Sequence, residues 1–247
     1  MKAIILAAGY SQRLGEITKH VPKALLQVGG KPVLTRLTEK LLRISCIDEI
    51  IIVSNHRYIK LFEEWLVSQD EESKGSIILL DDMTQSSEER LGALCDLQFA
   101  VKRCGISRDV LVCAADNMFD FELFPFVQRF FEIDRKPLLL VKESQDLHEL
   151  KRVAVALIGP EGEVLQIEEK PALPKGSHGV YALYAYPKEA LLLLDEYLLE
   201  GNPKDSPGSF PPWLCKRMPV YSYAARGDII DIGLPEALKN ARLKYGE

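Results

Sequence analysis

Short apolar runs alternate with amphipathic stretches through the first 141 residues of the chain. The apolar runs predict strands at 3–6, 49–53, 76–80, 110–114 and 137–141. The stretches between them predict helices near 33–44, 58–67, 88–102 and 121–131. This alternation is typical of an α/β fold in which a mixed, mostly parallel central sheet is flanked by helices. Ligands of such folds bind at the carboxyl ends of the strands.

The pattern changes after residue 150. Strands predicted at 153–158 and 163–167 are joined by the turn signal Gly159-Pro-Glu-Gly162, and a third strand is predicted at 179–184. A leucine-rich helix at 188–199, a proline-rich loop at 201–212 and a helix from residue 234 follow. Because no linker rich in Gly, Ser and Pro interrupts the chain, we expect one α/β domain with a β-rich second part.

The composition excludes several classes of protein. The 247 residues are 47% hydrophobic and 27% charged, which is ordinary for a folded globular chain. A formal net charge of -5 with scattered Lys and Arg gives no reason to expect a nucleic-acid partner. No apolar stretch is long enough to span a bilayer, and Met1-Lys2 runs straight into the first strand. We therefore expect a cytoplasmic protein with no signal peptide and no membrane partner.

Cysteine and histidine spacing excludes two further kinds of site. The five cysteines include no C-x-x-C pair, and the four histidines include no H-x-x-x-H pair. Neither a disulfide framework nor a zinc site is predicted.

The exit of the first strand carries a candidate phosphate site. Leu6-Ala7-Ala8-Gly9 ends the apolar run, and Arg13 and Lys23 follow it. Backbone N–H groups of such a turn can cradle phosphate oxygens, a guanidinium can bind two oxygens at once, and an ammonium adds a point charge. A lone Ala-Ala-Gly run is more often an ordinary strand exit beside solvated cations. The spacing to Arg13 and to Pro22-Lys23 favours the phosphate site.

Two aspartates follow apolar runs and are candidate metal ligands. Asp116 comes directly after the fourth strand, and Asp231 follows Ile229-Ile230. Mg²⁺ prefers one or two carboxylates together with substrate phosphates and water. Each aspartate has an alternative role as a helix cap, which Asp120 would fill better than Asp116. Asp228 is the alternative metal ligand to Asp231.

The run Leu6-Ala-Ala-Gly-Tyr-Ser-Gln-Arg-Leu14 with Pro22-Lys23 resembles the signature of the sugar-1-phosphate nucleotidylyltransferases. Further segments similar to that family follow in its order: Ala114-Ala-Asp116-Asn, Glu168-Glu-Lys-Pro171, Gly179-Val-Tyr181 and Asp231-Ile-Gly-Leu-Pro-Glu236. The resemblance implies the Rossmann-like nucleotide-diphospho-sugar transferase fold, with a nucleotide-binding part at 1–150 and a small β-rich acceptor subregion at 151–247. It implies Mg²⁺ as cofactor, catalytic roles for Arg13, Lys23 and Asp116, and metal binding by Asp116 and Asp231.

The same resemblance implies where the two substrates bind. Nucleotide contacts fall on Leu6, Ala7, Ala8, Gly9, Gln85 and Gly92, and acceptor contacts fall on Glu169, Lys170, Gly179 and Tyr181. The chain departs from the family pattern at Glu16, where a Pro is usual, at Ala154, where a Gly is usual, and at Ile229, where a Trp is common. These departures leave the phosphate and metal residues intact but put the identity of the acceptor in question.

The resemblance implies an enzyme that couples an NTP to a sugar 1-phosphate and releases pyrophosphate, similar to glucose-1-phosphate thymidylyltransferase. A homo-oligomer is compatible with this resemblance. One alternative is a cytidylyltransferase for a phospho-alcohol such as phosphocholine or inositol phosphate. Another is a catalytically silent regulatory relative, which the presence of Arg13, Lys23, Asp116 and Asp231 disfavours. A Rossmann oxidoreductase is excluded because no G-x-G-x-x-G follows the first strand.

Overall fold

The computed structural model describes residues 1–246 of the chain. Its strands are β1 Lys2–Leu6, β2 Gln27–Val28, β3 Lys31–Pro32, β4 Glu49–Ser54, β5 Ile77–Asp81, β6 Val110–Ala114, β7 Asn117–Phe119, β8 Leu138–Glu143, β9 Ala154–Ile158, β10 Val164–Glu169, β11 His178–Tyr186, β12 Tyr221–Ala224 and β13 Ile229–Asp231. Its α-helices are α1 Val33–Leu42, α2 Ile59–Val67, α3 Glu71–Ser76, α4 Ala93–Arg103, α5 Phe124–Glu132, α6 Leu147–Leu150, α7 Lys188–Leu199, α8 Phe210–Leu214 and α9 Pro235–Tyr245. Shorter 3₁₀ segments lie at Gln12–Thr18, Lys23–Leu25 and Pro207–Ser209. Within this part of the chain, no helix has the length and apolar character needed to cross a membrane.

The central sheet is mixed, as expected, and its two halves differ in strand direction. The strand order is β10-β9-β11-β6-β1-β4-β5, and β6, β1, β4 and β5 run parallel to one another. Strand β11 is antiparallel to β6, β8 and β9, and β12 joins β8 in parallel. The carboxyl ends of β1 and β6 therefore open beside the antiparallel half of the sheet.

Alternate residues of β1 enter two different core layers, as a strand buried on both faces requires. Ala3 and Ile5 pack with the apolar faces of α1, α2 and α5. Ile4 packs with residues of α4, α7 and α8 on the opposite face. The predicted α/β fold with helices on both faces of the sheet is confirmed.

Part of the loop predicted at 201–212 is helical instead, so that prediction is wrong in part. The 3₁₀ segment Pro207–Ser209 leads directly into α8 at Phe210. Pro211 and Pro212 lie in the first turn of α8, where a missing N–H and a φ fixed near -65° are tolerated. Burial of Phe210 and Leu214 against α7 then stabilises a helix that proline content alone argues against.

A short ladder between β7 and β13 positions the aspartates. Asn117 pairs with Asp231 across this antiparallel ladder, and the Ile232 N–H donates to the Asp116 carbonyl at 3.1 Å. The capping alternative for Asp116 and Asp120 is wrong, because α5 begins only at Phe124. The ladder instead fixes Asp116 and Asp231 at one edge of the sheet.

Candidate active site

A cavity of about 680 Å³ opens at the carboxyl ends of β1 and β6 and extends across β11 to the end of β10. Its walls include most of the residues predicted for the site, namely Leu6, Ala7, Ala8, Gly9, Arg13, Lys23, Asp116, Glu169, Lys170, Tyr181 and Asp231. The cavity is large enough for a drug-sized ligand, and polar groups enter it from several different elements.

The backbone directly after β1 borders this cavity. Leu6 and Ala7 continue backbone bonding to the neighbouring strands, and the Asn55 Nδ2 donates to the Ala8 carbonyl at 2.9 Å. Within residues 1–246, the backbone N–H groups of Ala8, Gly9 and Tyr10 find no acceptor. A Cβ added at Gly9 would meet no atom within 4 Å, so this backbone borders open space. Free amides beside open space form a cradle for an anion.

Two cations line the same cavity as that cradle. Lys23 follows Pro22 in a 3₁₀ turn, and its ammonium donates to a carboxylate oxygen of Asp116. Arg13 lies in the 3₁₀ segment that Leu14 anchors in a separate apolar cluster. A Cβ added at Gly233 would lie 3.3 Å from Arg13 Nη2 and 2.8 Å from Asp231 Oδ1, so Gly233 leaves room for both side chains.

The two aspartates share a region of crowded negative charge. Burial, and then the nearby charge of Asp116, raises the pKa of Asp231. The Lys23 ammonium, the Gly233 N–H and the Arg13 guanidinium each oppose that rise. The Gly233 N–H donates to Asp231 Oδ1 at 2.7 Å. Neighbouring carboxylates supply the oxygen ligands that a hard divalent cation prefers.

Asp228 does not belong to this pair. It is exposed, and ion pairs with Lys244 and Lys142 at 2.7 and 3.0 Å hold the pKa of its carboxyl at about 2. Among residues 1–246, no three or more His, Cys, Asp or Glu side chains group as a metal cage. The protein would thus supply two carboxylates to a metal and leave the other positions to phosphates and water.

Three of the residues predicted to contact the acceptor, Glu169, Lys170 and Tyr181, line another part of the cavity wall. The Ser206 Oγ donates to Glu169 Oε1 at 2.8 Å, and the Lys170 Nζ lies 3.2 Å from the same oxygen. Lys170 has a left-handed backbone, with φ 47°, at the end of β10. The Tyr181 hydroxyl donates to Glu149, and burial and that carboxylate raise the pKa of Tyr181.

Three of the residues predicted to contact substrates do not line the cavity. Gln85 is exposed in the loop after β5, outside the cavity wall. Gly92 packs closely against another loop, because an added Cβ would lie 2.9 Å from the Lys204 carbonyl. Gly179 lies beneath the wall, where an added Cβ would lie 3.1 Å from Val153. Ala154, a departure from the family pattern, does line the cavity.

Other residues enter the cavity without having been predicted. Glu149 and Arg152 come from α6 and the turn after it, while Asp205 comes from the loop before α8. Asp96 enters from the first turn of α4, where its charge suggests only a helix-end position. A carboxylate in a helix first turn normally complements the helix dipole, so the sequence holds no signal that Asp96 is buried.

An amide cradle, two cations and a carboxylate pair at the strand ends of an α/β sheet are features typical of polyphosphate-binding sites. The chain belongs to the nucleotidyl transferase family, whose model matches residues 2–247. The resemblance found in its sequence motifs is thereby confirmed.

Relatives and solved structures point the same way. The UTP–glucose-1-phosphate uridylyltransferase AglF of Haloferax volcanii is 26% identical over 186 residues, which cover 75% of this chain and 72% of AglF. A glucose-1-phosphate adenylyltransferase of Thermomicrobium roseum is 23% identical over 261 residues, covering 97% of this chain and 58% of that protein. A crystal structure from Bacillus anthracis, assigned as a glucose-1-phosphate thymidylyltransferase in complex with a sucrose, matches with a TM-score of 0.83 at 25% identity. That match covers 99% of this chain and 95% of the other.

Proposed function

We propose that this protein transfers a nucleotidyl group from an NTP to a sugar 1-phosphate, with Mg²⁺ as cofactor. The observation that carries the proposal is the convergence of Lys23, Arg13, Asp116 and Asp231 on one cavity, beside free backbone amides. Family membership and the sugar-1-phosphate substrates in the names of its relatives support it.

In the proposed reaction, a phosphate oxygen of the sugar 1-phosphate attacks the α-phosphorus of the NTP. The bond from the α-phosphorus to the bridging oxygen breaks, and pyrophosphate leaves with that oxygen and its electron pair. Two anions must approach and negative charge develops on the leaving oxygens, so positioning and electrostatic stabilisation dominate. No side-chain nucleophile is required.

Different residues of the chain would bind different phosphate groups of the substrates. The amides of Ala8 to Tyr10 and the Arg13 guanidinium bind the triphosphate and stabilise the leaving pyrophosphate. Lys23 holds the transferred phosphate beside Asp116. Asp116 and Asp231 would hold Mg²⁺, which when bound supplies positive charge at the phosphate oxygens.

The acceptor would bind against Glu169, Lys170 and Tyr181, across the cavity from the cradle. Carboxylate oxygens of Glu169 can accept from sugar hydroxyls, and the Lys170 ammonium can pair with a phosphate. The buried methyl of Ala154 takes up space in this part of the cavity. This favours an acceptor that binds in a different position from glucose 1-phosphate.

The experiment measures pyrophosphate release over a grid of ATP, GTP, CTP, UTP and dTTP against several sugar 1-phosphates, phosphocholine and inositol phosphate. We expect release only when an NTP, a sugar 1-phosphate and Mg²⁺ are all present, and none when EDTA replaces the metal. NTP hydrolysis at an equal rate without acceptor would refute the proposal. Release with phosphocholine or inositol phosphate alone would assign the chain to the phospho-alcohol cytidylyltransferases instead.

A further inference from the structure

Asp96 is a buried acid in the wall of the same cavity, and it is not one of the residues proposed to bind phosphate or metal. It lies in the first turn of α4, beside Ala93, and only 5% of the residue is exposed. Its Oδ1 is buried and has no hydrogen-bond partner in residues 1–246. Because buried polar atoms are nearly always bonded, a buried carboxyl that accepts no hydrogen bond within residues 1–246, on a residue that lines the cavity, points to a donor that binds there.

A second buried acid faces Asp96. Asp82, which is 7% exposed, accepts from the Thr84 N–H and the Thr84 hydroxyl at 2.8 Å each through its Oδ1. Its charge acts on the Asp96 carboxyl, and two neighbouring carboxyls can share a hydrogen bond only if a proton lies between them. Burial and the Asp82 charge raise the pKa of Asp96 to about 8, and burial also raises the pKa of Asp82, so the pair favours holding one proton.

This arrangement leaves one acceptor on Asp96. Whichever of the two carboxyls carries the shared proton, the Asp96 oxygen that does not face Asp82 can only accept. An Asn at this position would make the same bond to Asp82 without a buried acid pair, and a Leu would avoid the unpaired oxygen. Fold stability therefore does not require an acid here, and a ligand that donates a hydrogen bond would account for it.

We propose that Asp96 binds the base of the nucleotide, accepting a hydrogen bond from an N–H group on the edge of that base. This inference rests on the proposed nucleotidyl transfer. A phosphate is excluded because an acidic carboxyl offers it no positive charge. The cavity wall that contains Asp96 also includes the small apolar side chains of Ala7, Ala8 and Ala93, which suit the faces of a planar ring better than a ribose. Relatives named for UTP and for adenylyl transfer use different bases, so a base contact of this chain's own is needed to define its NTP.

The first test is steady-state kinetics of two substitutions with the best NTP of the grid. Asp96→Leu should raise the KM for NTP about 10-fold, because it removes the acceptor and leaves the base N–H unpaired. Its kcat and its KM for the sugar 1-phosphate should change less than about 2-fold. Asp96→Asn should stay within about 2-fold of wild type throughout, because the amide donates to Asp82 and keeps an acceptor oxygen. Tyr186→Phe, which removes the other unpartnered buried oxygen away from the cavity, is the matched control and should have no effect.

The second test deletes the donor on the base and uses the wild-type protein, so it does not depend on a variant folding. The analogues are N3-methyl-UTP or N3-methyl-dTTP, zebularine triphosphate for CTP, purine riboside triphosphate for ATP and ITP for GTP. In wild type the analogue should have about a 10-fold higher KM than its parent. In Asp96→Leu the parent and analogue should differ less than about 2-fold, since the partner is already gone.

Three results would overturn the inference. An analogue penalty of the same size in wild type and Asp96→Leu would show that the base edge contacts another group. A difference between wild type and Asp96→Leu that disappears with a 2′-deoxy or 3′-deoxy NTP would place Asp96 on the ribose. An unchanged KM for NTP in Asp96→Leu would show that the acid has no ligand contact. Failure of the proposed function would differ from all three, since no NTP would then turn over with any acceptor.

Discussion

Among the residues that the structure describes, Asp116 is in direct contact with a cation, whereas Asp231 is not. Asp116 is paired directly with Lys23, whereas Asp231 accepts from the Gly233 N–H and feels Lys23 and Arg13 only through space. Burial and the nearby Asp116 carboxylate raise the pKa of Asp231. A divalent cation between the two carboxylates would relieve that repulsion.

At this scale, Asp116→Asn should lower kcat at least about 100-fold, since an amide keeps the shape but cannot balance the charge of a metal. Circular dichroism should show an unchanged fold, because the ladder bond uses the Asp116 carbonyl and not its side chain. Asp228→Asn is the matched control, since this exposed aspartate lies outside the cavity wall and should leave kcat unchanged. Normal turnover of Asp116→Asn would move the metal site elsewhere.

The two cations should separate kinetically. Arg13→Ala should raise the KM for NTP and lower kcat, because in the proposed reaction the guanidinium binds the leaving pyrophosphate. Lys23→Ala should chiefly lower kcat, by about 100-fold, since it removes charge from the transferred phosphate and leaves Asp116 without its ion-pair partner. Identical changes in KM and kcat for the two variants would contradict separate roles.

The Asp82–Asp96 pair predicts a pH-dependent stability. The folded state keeps a proton on Asp96 up to about pH 8, whereas an unfolded Asp loses it near pH 4, although Lys204 partly offsets the rise. The folded state thus binds more protons between these values, so the free energy of unfolding falls as pH rises through them. Asp96→Asn should remove this loss and raise the Tm by at least about 3 °C at pH 8, and by less at pH 5. Thermal unfolding scans at both pH values measure the difference, and an equal Tm shift at both would contradict the shared proton.

At the scale of elements, one loop joins the two sides of the cavity. The Leu94 N–H at the start of α4 donates to the Lys204 carbonyl at 3.0 Å, and Arg90 pairs with Asp205 at 3.1 Å. Ser206 in the same loop then bonds Glu169 at the end of β10. The loop thereby connects the start of α4 with the end of β10 across the cavity.

Gly92 is the position where this docking is most easily disturbed. It has φ +95°, and an added Cβ would lie 2.9 Å from the Lys204 carbonyl. Gly92→Ala should lower the free energy of unfolding by about 1–3 kcal/mol, because it adds a clash to backbone strain. Gly201→Ala is the control, since it has φ +77° with open space around it and so carries the strain alone. Urea denaturation should show the larger loss for Gly92→Ala, and equal losses would contradict close docking of the loop.

At the scale of the whole molecule, the sequence predicted the elements that have a periodic apolar pattern and missed the short elements that have none. The buried parallel strands and their helices follow from apolar periodicity, and the strand exits placed Gly9 and Asp116 in one cavity. The β7–β13 ladder has three residues a side, too few for a periodic signal. Helix α8 was not predicted because its prolines argue against a helix. The burial of Asp96 depends on packing that no local sequence pattern indicates. Gln85 was predicted to contact the nucleotide from its position relative to the family motifs, but it lies outside the cavity wall in the loop after β5.

The central claim concerns the bond that forms, so it is tested most directly by identifying the products. ³¹P NMR should follow the best NTP and sugar 1-phosphate of the grid with Mg²⁺. We predict pyrophosphate and a nucleoside diphosphate sugar appearing in equal amounts, with both substrates consumed at the same rate. Orthophosphate, or a nucleoside monophosphate with the sugar 1-phosphate left intact, would show hydrolysis in place of transfer and would contradict the account.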